Sequence, residues 1–172
     1  MKKKGLVLFA ALAMAFAFTG CGNGGTKDVT TQGGSQAEAG GYSVTLSGVA
    51  INMNVAAADI ISALGEPQDK YEAESCAFQG MDRTYTYPGF VLDTYENNGV
   101  ETTLYVTFKD DTVSTTEGLC IGESVDKAKE LYGTDGTDNG SSIVYKKGGS
   151  TLTIFYGGDG VITEIQYGAV TE

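Results

Sequence analysis

Residues 82–108 read DRTYTYPGFVLDTYENNGVETTLYVTF. Aromatic and aliphatic side chains alternate with Thr and charged residues at period two, and the dipeptides Pro88-Gly89 and Asn98-Gly99 interrupt the alternation where turns belong. The stretch predicts three consecutive antiparallel strands. Sorting its residues by parity, together with those of the later strand patterns, separates two faces. One carries Tyr85, Tyr87, Phe90, Leu92, Leu104, Val106, Phe108, Leu152, Ile154, Val161 and Ile165, and is apolar enough to pack against helices. The other carries Val91, Asp93, Tyr95, Thr103, Tyr105, Thr107, Thr153, Phe155, Ile162 and Glu164, a mixture of aromatic, hydroxyl and acidic groups.

The same sorting constrains the turn at Asn98-Gly99, because directly opposed residues share a face. A two-residue loop in simple register sets Asp93 opposite Leu104, which mixes the faces. A three-residue loop with Gly99 at positive φ in a bulge restores the sorting and is the expected geometry.

Outward from this stretch, SIVYKK, STLTIFY and VITEIQY repeat the strand pattern, with Gly148-Gly149 and Asp159-Gly160 as turns. Two segments have helical spacing instead. In NVAAADIISALGEP, Asn54 is the expected cap, Ala57, Ile60, Ile61 and Leu64 share one face, and Gly65 with Pro67 ends the helix. In GESVDKAKELYG, Ser124 caps, Val125, Ala128, Leu131 and Tyr132 form the stripe, and Gly133 stops it. Helix followed by strands thus occurs twice, over residues 51–108 and 119–167. The expected class is α+β, an antiparallel sheet with helices on one face built from two tandem helix-then-strands units.

The amino terminus carries different information. Lys2, Lys3 and Lys4 precede thirteen residues, 6–18, without a polar side chain, and then come Thr19, Gly20 and Cys21. Thirteen is short of the roughly 20 residues that a membrane-spanning helix needs, so residues 1–20 read as a signal peptide. The Thr-Gly-Cys ending resembles the bacterial lipobox, which implies diacylation of the Cys21 thiol, cleavage just before it, and anchoring on the outer face of the cell membrane. More than one acyl chain is what makes such anchoring stable, at about 0.8 kcal/mol per buried methylene. Residues 22–41 are rich in Gly, Thr, Ser and Gln and form the expected tether, with a random-coil reach of roughly 25 Å. Residues 42–172 then make a single domain.

Cleavage removes three of eleven basic residues and none of the 22 acidic ones, leaving a formal charge of −14. Such a surface is repelled by nucleic acid and by anionic headgroups. With Cys21 lipidated, Cys76 and Cys120 remain, and an even pair in an exported chain is read as a disulfide whose loop of about 45 residues stabilises the fold by about 4 kcal/mol. The alternative is two thiols that never meet.

The chain has no histidine, which excludes Ser-His-Asp and Cys-His nucleophilic machinery and histidine-ligated zinc. Cys76, in AESCAF, has acids rather than cations beside it. Asp93, Glu96 and Glu164 are candidates for a glycosidic carboxylate pair. DGTDNG, residues 135–140, fails the calcium-loop spacing because Lys146 stands where the bidentate Glu belongs, so it reads as a turn. GGDG near residue 158 lies between strands, without the helix N-terminus that an anion cradle needs. No metal or cofactor is expected.

SALGEP, SCAFQGMDRTYTYPGF and DDTVSTTEGLCIGESVDKAKELYG are similar to a group of lipoproteins of unassigned function from Gram-positive anaerobes. The two-unit pattern resembles the β-lactamase-inhibitor-protein-like architecture, seen in outline in small envelope-assembly lipoproteins, which implies a fold and no catalytic residues. The expectation is a non-enzymatic protein- or ligand-binding module on the membrane, with Tyr95, Tyr105 and Phe155 anchoring a partner and Asp93 and Glu164 bordering them. A carboxylate-dependent envelope hydrolase and a structural envelope-assembly lipoprotein are the alternatives. The bland reading of the aromatics is β propensity on a solvated face, or cover by residues 42–50.

Overall fold

The computed structural model describes residues 40–171. The expected signal peptide, Cys21 and the tether as far as residue 39 lie outside the described residues. The elements in order are β1 (Ser43–Leu46), β2 (Val49–Asn52), α1 (Ala58–Leu64), β3 (Asp69–Glu74), β4 (Met81–Tyr87), β5 (Phe90–Asn97), β6 (Val100–Phe108), α2 (Val125–Tyr132), β7 (Thr137–Asp138), β8 (Ser142–Lys147), β9 (Ser150–Tyr156) and β10 (Ile162–Ala169). β1 and β2 pair as a hairpin, and the other eight strands form one antiparallel sheet in the order β3-β4-β5-β6-β10-β9-β8-β7. The class is therefore α+β. β6 and β10 meet at three residue pairs: Gln166 with Thr107, Tyr167 with Val106, and Gly168 with Tyr105.

Period-two patterning decides which sheet face is buried. Tyr85, Tyr87, Phe90, Leu92, Val106, Phe108, Leu152, Ile154, Ile165 and Tyr167 join one core cluster, to which β1 and β2 add Val44, Leu46 and Ile51. α1 adds Ile60, Ile61 and Leu64, and α2 adds Val125, Ala128, Leu131 and Tyr132. Residues 42–50 thus cover the apolar side of the sheet rather than its mixed side: Tyr42 packs edge-on against Tyr167 at 6.4 Å, and its backbone N–H donates to Ser150 Oγ at 2.6 Å. Burial of this apolar area is the main stabilising contribution.

α2 forms as its sequence predicts. Ser124 Oγ accepts from the Lys127 N–H at 3.3 Å, and Gly133, at φ 88°, sends its N–H back to Lys129 O at 3.0 Å. α1 ends at Gly65 as expected but starts differently. Asn54 does not cap it; the residue preceding the helix is Ala57, without a side-chain cap. Residues 54–57 instead extend along β6, with Asn54 N–H donating to Thr103 O, Thr103 N–H to Val55 O and Ala57 N–H to Glu101 O. β10 pairs with β6 only at Tyr105, Val106 and Thr107, so the rest of that edge is open to satisfaction by another segment.

Two bulges correct the parity reading. The loop between β5 and β6 has two residues, since Asn97 faces Val100, and Asn98 and Gly99 sit at φ 52° and 79°, the positive values of a type I′ turn. The extra residue lies inside β6 instead: Asp93 faces Tyr105 and Thr94 faces Thr103, with Leu104 bulged between them. Tyr105 keeps the face assigned to it, whereas Thr103 crosses to the side of Thr94 and is buried. On β10, Ile162 pairs with Tyr156 and Glu164 with Phe155, leaving Thr163 bulged. Ile162 is consequently in the core and Val161 is exposed, the reverse of the simple alternation.

Candidate functional site

The mixed face of the sheet presents two rows that follow from strand register. Tyr71, Thr84, Asp93, Tyr105, Gly168, Thr151 and Lys146 lie side by side across β3, β4, β5, β6, β10, β9 and β8. The neighbouring row is richer in threonine, with Thr86, Thr107, Thr153 and Thr137 around Val91, Gln166 and Val144. One cross-strand hydrogen bond stiffens each row: Thr84 Oγ1 donates to Asp93 Oδ1 at 2.6 Å in the first and Gln166 Nε2 to Thr107 Oγ1 at 3.1 Å in the second.

Of the five residues expected to hold a partner, four open onto this face. Tyr105 is 36% exposed, and its ring lies over Gly168, where an added Cβ would stand 2.9 Å from ring carbon Cε1. Gly168 is what lets the ring lie flat on the sheet. Phe155 is half-buried opposite Glu164. Asp93 is half-buried, and burial pushes its carboxyl above the ordinary value against the opposing pull of the Thr84 hydrogen bond and the Lys109 charge.

Tyr95 departs from the expectation. It shares the parity of Asp93, but only 5% of it is exposed, because Phe78 from the β3–β4 loop packs over it with ring centroids 4.4 Å apart. Its hydroxyl donates to Asn54 Oδ1 at 3.2 Å. Strand alternation carries no information on where a loop returns, so Phe78 was invisible to the sorting.

Asp93, Glu96 and Glu164 do not form a glycosidic pair. Glu96 has the opposite parity to Asp93, and Glu164 lies two strands from Asp93 and four residues along β10 from Gly168, roughly 13 Å in the strand direction alone. The two carboxyls of a glycosidase stand at most about 9.5 Å apart. Among the described residues no group of three acidic or thiol side chains is arranged to hold a metal ion. DGTDNG contributes β7, and its Asp138 is engaged by the Gly140 N–H and by the Tyr156 hydroxyl at 2.6 Å.

The expected bridge is also corrected. Cys76 and Cys120 are both free. Cys76 is exposed in the loop before β4, at the sheet end where β5 finishes and β6 starts; Cys120 precedes Gly122, whose N–H donates to Ile162 O at the opposite end. The length of the strands lies between them, at about 3.3 Å per residue, whereas a disulfide requires Cα atoms within about 7 Å. Burial, with Glu123 and Asp111 nearby, also raises the Cys120 thiol.

Sequence reasoning missed a second concavity, at the strand ends beside Cys76. Two depressions of about 550 and 460 Å³ meet there and share Phe78, Tyr95 and Asn97. The only sequence signal is a cluster of amides, Asn54, Gln79, Asn97 and Asn98, placed in turns and at strand ends. No family model, no curated protein and no solved structure matches the chain.

Proposed function

We propose that this chain is a membrane-anchored extracytoplasmic lipoprotein whose domain docks a protein partner, without catalysing a reaction, on the sheet face bearing Tyr105 and Phe155, with Asp93 and Glu164 at its border. The observation that carries this reading is the exposure of Tyr105 on the mixed face, where among the described residues Phe155, Asp93 and Glu164 are only half-buried. A broad sheet with aromatic rings set among hydroxyls offers large contact area at small entropic cost. Tyr95 has no part in it, since Phe78 covers it.

The finer architecture belongs to the same proposal. α1 with β3, β4, β5 and β6, then α2 with β7, β8, β9 and β10, give two helix-then-strands units whose last strands meet at the centre of the sheet. That order supports a tandem, β-lactamase-inhibitor-protein-like arrangement with helices on one face. A Tyr105→Ala, Phe155→Ala double variant tests the docking reading. Truncated interface anchors typically cost about 2 kcal/mol or more, so the protein retained from envelope extract by the wild-type domain should be lost while the melting midpoint stays near its original value. Retention of the same protein by the double variant would refute the assignment.

A further inference from the structure

The cleft at the strand ends shares no residue with the Tyr105–Phe155 surface and does not depend on the docking reading. Its chemistry narrows what can occupy it. Among the described residues no basic side chain lines either depression, and the chain carries a formal charge of −11, so an anion finds neither a partner there nor an attractive field. An apolar ligand would cut off from water the amide hydrogens of Asn97 and Gln79 and the Asn98 carbonyl oxygen, which the Asn98–Asn97 hydrogen bond leaves unused, at the cost of unpaired polar groups. A single carboxylate, Glu96, is little to hold an organic cation.

What remains is a ligand that both donates and accepts hydrogen bonds and also has an apolar face. Each side-chain amide offers one acceptor and two donor hydrogens, which suits adjacent hydroxyls. Phe78 supplies the apolar surface. It is backed by Tyr95, which is fixed by its hydrogen bond to Asn54, so the aromatic pair is organised before anything binds. Asn98 Nδ2 donates to Asn97 Oδ1 at 3.0 Å and orders the amides beside it. Both depressions fall within the volume range of small-molecule sites.

We propose that this cleft binds a neutral saccharide, with Phe78 under a sugar ring and the amides of Asn97 and Gln79 on its hydroxyls. Saturation-transfer NMR of the full chain with cellotriose, maltotriose and chitotriose tests it. At least one of these should receive saturation at millimolar concentration, and Phe78→Ala or Asn97→Ala should weaken binding about tenfold or more, the equivalent of 1.4 kcal/mol. Gln79→Ala, an exposed loop change that does not threaten the fold, should weaken it as well, whereas Tyr105→Ala should leave it unchanged. Failure of all three sugars, undiminished binding by both Phe78→Ala and Gln79→Ala, or displacement of the sugar by choline or citrate would each overturn the proposal.

Discussion

Asp93 is the carboxylate on the outer face whose surroundings oppose its charge. Burial raises its proton affinity more than Thr84 and Lys109 lower it, and Asp82 adds to the rise. The folded state therefore binds the proton more tightly than the unfolded chain does, and stability falls as pH climbs from the ordinary carboxylate value through the raised folded one. Asp93→Asn should flatten that slope, as read by urea unfolding at acid and neutral pH; an unchanged slope would place the effect elsewhere. Thiol chemistry gives a second check at this scale. Alkylation of the exported, folded protein without reductant, its Cys21 blocked by lipid, should add two labels, and the exposed Cys76 should react before Cys120, whose thiolate is disfavoured by burial and by Glu123. An intact mass two hydrogens light, with no label added, would restore the bridge. Alternation alone placed Tyr105, Phe155, Asp93 and Glu164 on the outer face. It missed the cover over Tyr95, which comes from a loop residue.

Among the elements, the two helices differ at their starts, and the difference is measurable. α2 has a side-chain cap and α1 has none, so Ser124→Ala should cost about 1 kcal/mol in urea unfolding. Asn54→Ala should act through the lost Tyr95 hydrogen bond and the left-handed backbone at φ 60° rather than through helix capping, and the comparison Asn54→Gly should recover the backbone part. A fully destabilising Asn54→Gly would contradict that division. The strands β4, β5, β6, β8, β9 and β10 were legible because aromatic or β-branched residues alternate in them. β3, DKYEAE, was not: it is an edge strand, exposed along nearly its whole length, and its charges serve an open edge rather than a buried face. β1 and β2 were too short to register, although their turn at Ser47-Gly48 has the positive φ pair of a hairpin, 50° and 79°. The bulges at Leu104 and Thr163 could not be placed either, since a one-residue insertion within a strand leaves composition and period almost untouched.

For the molecule as a whole, the acidic surface and the proposed anchor act together: a strongly negative domain is repelled from anionic headgroups, so membrane attachment would rest on the acyl chains at Cys21 alone. Cys21→Ser should therefore move the protein from the membrane fraction to the medium, and persistent attachment would reject the lipid anchor. The α+β class was readable because helical spacing and the period-two spacing of strands are both patterns that the sequence carries locally. The β6–β10 join was not, because three residue pairs between strands more than fifty residues apart leave no local trace in the sequence. That join bears on the timing of synthesis. β10 is translated after every strand it touches, so a nascent chain carries the β3–β6 ribbon without the β6–β10 seam until Tyr167 arrives to close it. Completion of the sheet is thereby tied to release of its final strand, and an incomplete chain stays unfinished and open to proteolysis.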